Sequence, residues 1–291
     1  GRSRGTGLEA EPAAGGPGMT GHSLVWSDGR WGEANALQLP LNDRGLLLAD
    51  GLFETVLVLD GRARLLEPHL ERWRRSAALL GLPEPPQTAV VQPLVEEAIA
   101  RCNLPAGQGA LRLNWSAGSG GRGLDRPDTL DPRFWLQLSA HTPTFAPVQV
   151  IVSRHERRNG SSRLSHCKTF AYGQAVQARR EARGAGAEDA LLLSTSGELC
   201  CGTAANLLVQ RQGQWLTPAL SSGCLPGIMR GQLLERGLAT EAQLDATPQD
   251  GDRWLLINSL SCRPITSVDG AALTPLSLEE VRAIFDPLLA D

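Results

Sequence analysis

Lysine is nearly absent from this sequence. One, Lys168, stands beside 27 arginines in 291 residues. A surface tolerates exchange of Lys for Arg, because both supply a solvated positive charge. A site that needs an amine does not, because arginine stays protonated while lysine can be desolvated, deprotonated and used as a nucleophile. The surviving lysine is therefore a candidate for covalent chemistry, most simply a Schiff base. A basic excess is also missing. The net charge is −3 and the pI about 6.0, which leaves nothing to grip a nucleic-acid backbone. No apolar run approaches the ~20 residues of a membrane-spanning helix. No Cys-x-x-Cys pair occurs among Cys102, Cys167, Cys200, Cys201, Cys224 and Cys262, and His22, His69, His141, His155 and His166 show no ligand spacing. Reduced thiols in a cytoplasmic enzyme are expected, with no disulfide scaffold and no metal site.

Residues 1–18, GRSRGTGLEAEPAAGGPG, are rich in Gly, Ala and Pro and carry no periodic apolar pattern. A disordered tail is expected over 1–21, without the apolar stretch of a secretory signal. Met19 follows at once and is expected to be the natural start, with the preceding residues an upstream read-through or an added remnant.

Apolar residues make up 42% of the chain, enough to bury a core. Strand patterns cover 22–39, 52–59, 62–66, 109–116 and 133–140, with Ser27-Asp28-Gly29 and Asp60-Gly61 as turns. Helices are expected from Glu67-Pro68 to about Leu80 and over 88–102. The stretch 141–147, HTPTFAP, reads as a linker. Beyond it come strands at 148–153, 189–194, 199–202, 204–210, 214–217, 253–258 and 263–268. Helices there are expected over about 170–184, near 227–237 and over 277–288. The fold class is α+β: a small domain over 22–140 and a larger, strand-rich one over 148–291. The arginines at Arg72, Arg74, Arg75, Arg154, Arg157, Arg158, Arg179 and Arg180 read mostly as solvated faces.

Gly118-Ser119-Gly120-Gly121-Arg122-Gly123 matches a dinucleotide fingerprint literally. That fold needs a helix next, with its N-terminus on the pyrophosphate. Leu124-Asp125-Arg126-Pro127 follows instead, so a loop near a substrate is the better reading. Ser221 to Arg230, SSGCLPGIMR, leads small residues into a helix N-terminus, where free backbone N–H groups favour an anion, notably phosphate.

Four segments, in this order, carry a resemblance: LNDRGLLLADGLFETVLVLDG at 41–61, Lys168, ELCCGTAANLLV at 198–209 and SGCLPGIMR at 222–230. Together they resemble the class IV aminotransferases, the fold-type IV pyridoxal-phosphate enzymes. That family includes branched-chain aminotransferase, D-amino acid aminotransferase and aminodeoxychorismate lyase. The Gly-rich loop and Asn258-Ser259 look most like the lyase branch. The resemblance implies a small N-terminal α/β domain and a larger pseudo-barrel, pyridoxal 5'-phosphate as cofactor, a small-molecule substrate and a homodimer. It implies that Lys168 joins the cofactor covalently and that Arg72, in the HLERW segment, holds its phosphate with backbone N–H groups of Gly227, Ile228 and Met229. Leu225 would pack under the pyridine ring, and Asn258 and Ser259 would close the phosphate and substrate end. Glu54 and Arg122 would face the substrate.

Three departures stand out. Cys201 occupies the place of the carboxylate that pairs with the pyridine nitrogen in relatives, and Glu198 is three residues off. Ala117 stands where many relatives carry arginine. Glu54 stands where some lyases have threonine and several aminotransferases an acid. The implied function is 4-amino-4-deoxychorismate lyase. The alternatives are a D-amino acid or branched-chain aminotransferase, or an inactive cofactor-binding homologue.

Overall fold

The computed structural model describes residues 23–290; the tail expected over 1–21 lies outside them. The first sheet uses β1 (Ser23–Ser27), β2 (Arg30–Gly32), β3 (Gly51–Leu59), β4 (Arg62–Ala63), β5 (Gly109–Ser116) and β6 (Arg133–Ala140). They pair antiparallel in the order β2-β1-β6-β5-β3-β4. Helices α1 (Arg44–Leu48), α2 (Leu66–Leu79) and α3 (Thr88–Arg101) accompany it. Asp60 and Gly61 both take positive φ, 53° and 67°, as the two-residue turn between β3 and β4 requires.

Strand β3 reads GLFETVLVL, a nearly continuous apolar run, because both of its faces are covered. Val56 and Val58 pack with Leu70, Trp73, Val91 and Val95 of α2 and α3. Leu57 points the other way, into a second core with Leu208, Met229 and Ile257. The alternation along one strand therefore joins the first sheet to the second.

The second sheet uses β7 (Val148–Arg158), β8 (Asp189–Ser194), β9 (Leu199–Gly202), β10 (Asn206–Arg211), β11 (Gln214–Pro218), β12 (Thr240–Ala242), β13 (Arg253–Asn258), β14 (Ser261–Val268) and β15 (Ala271–Ala272). Helices α4 (Gly173–Gly184), α5 (Ile228–Glu235) and α6 (Leu278–Leu288) belong to this half of the chain. The path β10-β13-β14-β7-β8-β9 closes on itself where Cys201 of β9 pairs with Asn206 of β10, forming a six-strand barrel. Strands β7 and β8 run parallel, and α4 is the crossover their direction demands.

Most elements fall where the sequence pattern puts them. Four differ. The strand pair expected to reach residue 39 stops at Gly32, and α1 has no counterpart in the pattern. The return expected over 62–66 shrinks to two residues before α2 begins. Strand β7, expected to end at residue 153, continues to Arg158. A register shift after Val152 lets Arg157 and Arg158 pair with Leu193 and Ser194 of β8, so the strand resumes although its apolar pattern has ended. No helix follows the Gly-rich loop, and Gly118, Gly120, Gly121 and Gly123 all have positive φ there.

Candidate active site

Lys168 lies between a 3-10 turn at Arg163–His166 and α4. Its segment runs along the start of β3: the amide N–H of Phe53 donates to the Lys168 carbonyl at 2.9 Å, and that of Phe170 to the Gly51 carbonyl at 3.2 Å. This approach needs a glycine at 51, because a Cβ there would sit 2.2 Å from the Phe170 ring. The lysine amine donates to the Tyr172 hydroxyl at 3.0 Å and sits 4.5 Å from the centroid of the Phe53 ring. It opens into a cavity of about 780 Å³.

The cavity brings together site residues from five separate segments. Lys168, Arg72, Cys201, Leu225, Gly227, Ile228, Met229, Asn258 and Ser259 all line it. At one end, α5 starts at Ile228 with Gly227 as its cap and no side chain bonding the first turn. Its leading N–H groups are free to meet an anion. Gly227 must be glycine, since a Cβ would stand 2.0 Å from Asn206 Oδ1. Asn206 Nδ2 holds the Leu225 carbonyl at 2.9 Å and fixes the approach to the helix.

Arg72 reaches this end from α2 and is only 4% exposed. Its Nε donates to Glu54 Oε1 at 2.9 Å, its NH2 to Glu54 Oε2, and its NH1 to the Pro226 carbonyl at 3.1 Å. Three of five guanidinium N–H groups are thereby used, and two remain for a ligand. Glu54 is 1% exposed and also meets His69 Nδ1 at 2.7 Å. Burial alone would raise its pKa. The Arg72 charge and the bonds from His69 and Arg72 outweigh burial and hold it at about 2. His69 in turn meets Ser259 Oγ through Nε2 at 3.1 Å. Asn258, beside Ser259, holds the Ala204 carbonyl at 3.0 Å, while its own Oδ1 accepts from Leu260 and Ser261.

The other charged lining residues are Arg112, Arg157 and Arg158; among the described residues no Asp or Glu lines the cavity. Arg112 stacks on the Phe53 ring, with Cζ 3.7 Å from the centroid, and donates from Nε to Asn114 Oδ1 at 2.6 Å. Arg158 holds the Gly223 and Ser165 carbonyls at 3.0 and 2.8 Å. Cys201 lines the cavity, while Cys200, next on β9, accepts from Ser222 Oγ at 3.4 Å. Contact with Cys200 and burial both push the Cys201 thiol well up, so it is neutral at neutral pH. Glu198 stands in the turn before β9 and does not line the cavity.

Two residues expected to face a substrate sit elsewhere in this chain. Glu54 is buried behind Arg72 and holds the arginine rather than the cavity contents. Arg122 is exposed on the Gly-rich loop and is not among the lining residues. That loop is gathered by Arg44, whose guanidinium donates to the carbonyls of Gly120, Gly123, Leu124 and Asp125. Arg157 and Arg158, expected on a solvated face, are wall residues, because β7 continues far enough to carry them there. Phe53, Arg112, His69 and Tyr172 have no role in the sequence reading. One signal was available for Tyr172: it is the only tyrosine in the chain, and scarcity marks it as it marked Lys168.

The family model described as amino-transferase class IV matches residues 51–268. Aminodeoxychorismate lyase of Bacillus subtilis (strain 168) is 24% identical over 257 residues, covering 84% of this chain and 87% of that protein. A putative aminodeoxychorismate lyase of Schizosaccharomyces pombe is 30% identical over 215 residues, covering 72% and 85%. Among solved structures, the fold IV-transaminase CpuTA1 of Curtobacterium pusillum superposes with a TM-score of 0.79. It is 26% identical, with 92% of this chain and 97% of that one covered.

Proposed function

The chain belongs to the amino-transferase class IV family, and we propose that it eliminates pyruvate from 4-amino-4-deoxychorismate, leaving 4-aminobenzoate for folate synthesis. Its cofactor is pyridoxal 5'-phosphate. The cavity has parts that fit this group: an amine beside a hydroxyl, an uncapped helix start that tolerates no side chain at Gly227, and a buried arginine with N–H groups to spare. Arg72 and the N–H groups of Ile228 and Met229 would hold the phosphate, Leu225 would pack against the ring, and Lys168 would make the covalent link. When bound, the cofactor supplies the electron sink for the carbon that bears the substrate nitrogen.

The protein's own part is placement and proton transfer. Lys168 Nζ takes the proton from that carbon and returns one to the departing enol of pyruvate. Tyr172 holds the amine at 3.0 Å and limits its swing. Arg112 shares the Phe53 ring with Lys168 and leaves its terminal N–H groups toward the cavity. A substrate whose amine meets Lys168 would place a carboxylate against it. Exchange of Arg112 for methionine keeps the apolar stem and removes a charge-assisted bond worth about 1.5–3 kcal/mol. The expected result is a kcat/KM lower by roughly 10- to 150-fold, carried mainly by KM. An unchanged kcat/KM would remove Arg112 from substrate binding.

The observation that carries the lyase reading is the neutral Cys201 in a cavity with no carboxylate among its described lining residues. An ionised carboxylate would keep the pyridine nitrogen protonated and deepen the electron sink; a neutral thiol does this weakly. Transamination depends on that depth. Loss of pyruvate depends on it less, because the ring becomes aromatic as the bond breaks. The second reading is an aminotransferase, favoured by the likeness to CpuTA1. Two assays separate them. The wild-type protein with 4-amino-4-deoxychorismate should produce 4-aminobenzoate, and D-alanine or leucine with 2-oxoglutarate should give little transamination. Cys201→Glu should leave lyase turnover within about tenfold, a barrier change of ~1.4 kcal/mol, while raising transamination. Rapid transamination by the wild type with no aminobenzoate formed would establish the second reading instead.

A further inference from the structure

His69 lies outside the cavity lining, yet it is wired to it. Helix α2 carries His69 and Arg72 three residues apart, on one face, and both reach the buried Glu54 of β3. Glu54 is ionised and can only accept, so His69 Nδ1 must carry a hydrogen in either charge state of the ring. The state of the ring is then decided at Nε2 alone. The partner of Nε2 is Ser259 Oγ at 3.1 Å, and Ser259 lines the cavity in the turn between β13 and β14.

A neutral ring leaves Nε2 bare. The Ser259 hydroxyl then donates its one hydrogen to His69 and shows only lone pairs to the cavity, which repel a phosphate oxygen. A proton on Nε2 reverses the bond. Nε2 donates to Oγ, and the hydroxyl hydrogen turns outward as a donor to an anion. The charged and titratable groups around the ring are Glu54 on β3, Arg72 on the same helix and Lys168 before α4. Burial holds the ring below its ordinary pKa; Glu54 opposes this, and Arg72 and Lys168 add to it. A dianion arriving beside Ser259 adds its charge to that of Glu54.

We propose that His69 is a positioning residue whose Nε2 takes up a proton when a phosphate group binds against Ser259, so that the hydroxyl changes from acceptor to donor. This rests on the phosphate end assigned above. The test uses the full chain freed of cofactor and titrated with pyridoxamine 5'-phosphate, which has the phosphate but no aldehyde to react with Lys168. Calorimetry at pH 8 in two buffers of different ionisation enthalpy counts the protons taken up. At that pH the phosphate of the ligand is already dianionic, since its second pKa is about 6.

The wild type should take up about one proton more than Ser259→Ala, and its affinity should weaken up to about tenfold per pH unit where the ring titrates. Ser259→Thr keeps the hydroxyl and should keep the uptake. His69→Asn retains a donor for Glu54 and should lose it. Equal uptake in wild type and Ser259→Ala overturns the relay, whatever the folding of the His69 variant. The same difference measured with pyridoxamine, which lacks the phosphate, also overturns it. No binding of pyridoxamine 5'-phosphate by the wild type overturns the phosphate-end reading itself, and the relay with it.

Discussion

A Lys168→Arg protein should lose turnover by about a thousandfold or more, because the group that must share its nitrogen with a carbonyl and then move a proton becomes a guanidinium that does neither. The cavity should stay intact in this variant. Tyr172, the hydroxyl partner of Lys168, caps the start of α4, and the backbone bonds that fix residue 168 run from Phe53 and do not involve its side chain. Binding of pyridoxamine 5'-phosphate is therefore expected to persist, which separates lost chemistry from lost structure. A second measurement locates the link. Borohydride treatment of the wild-type protein with pyridoxal 5'-phosphate, followed by peptide mapping, should find the label at residue 168. With one lysine in the chain, the α-amine is the only competing primary amine. A Lys168→Arg enzyme that kept its turnover would end the assignment.

Arg72→Ala should act twice. The first effect is on the cofactor. Loss of a charge-assisted bond of about 1.5–3 kcal/mol weakens binding by roughly one to two decades. The second effect is on the fold, and it follows from Glu54. Arg72 and Glu54 are 4% and 1% exposed, and removing one partner of a buried pair leaves a buried charge with less compensation. The cost is typically about 3–5 kcal/mol, or roughly 10 °C in melting temperature for a domain of this size. The double variant Arg72→Ala, Glu54→Gln should recover much of the stability and none of the affinity.

The pH dependence has a definite sign. In the wild type, the Glu54 carboxyl is held at about 2, below its ordinary 4.5. Its contribution to stability is thus present above the ordinary value and lost as pH falls toward 2. Without Arg72, burial raises the carboxyl, and protonation becomes the relief. The stability deficit of Arg72→Ala should shrink between about pH 8 and about pH 5. A full-stability Arg72→Ala protein with unchanged cofactor affinity would make the arginine a bystander.

These expectations divide according to where their grounds lie. The sequence by itself determined the local structure and marked the candidate amine. The Asp60-Gly61 turn, the alternation of β5 and β6 and the periodic faces of α2 and α3 are set by neighbours within a few residues, so they can be read along the chain. Lys168 is legible for a different reason: an amine cannot be replaced by a guanidinium, and its survival in an arginine-rich chain is a chemical signal that needs no fold. The order of the Gly-Cys-Leu-Pro-Gly segment and the helix after it likewise marks a candidate anion site through backbone donors alone.

Only the tertiary structure decided which side chains meet. Ser259 and His69 are 190 positions apart and touch. Arg112 and Lys168 share the Phe53 ring because the lysine segment runs along β3, and no periodicity encodes that contact. Arg157 and Arg158 read as solvated because a charged pair after an apolar strand normally is; the barrel extends β7 and turns them inward. Glu54 read as a substrate residue through the family resemblance, at a position that is threonine in some lyases and acidic in several aminotransferases. The strand alternation and the arrival of α2 instead aim it at Arg72 and His69. A side chain's role depends on its partners in space, and those are set by how sheets and helices pack. Pairwise packing leaves no mark in the local sequence of either partner.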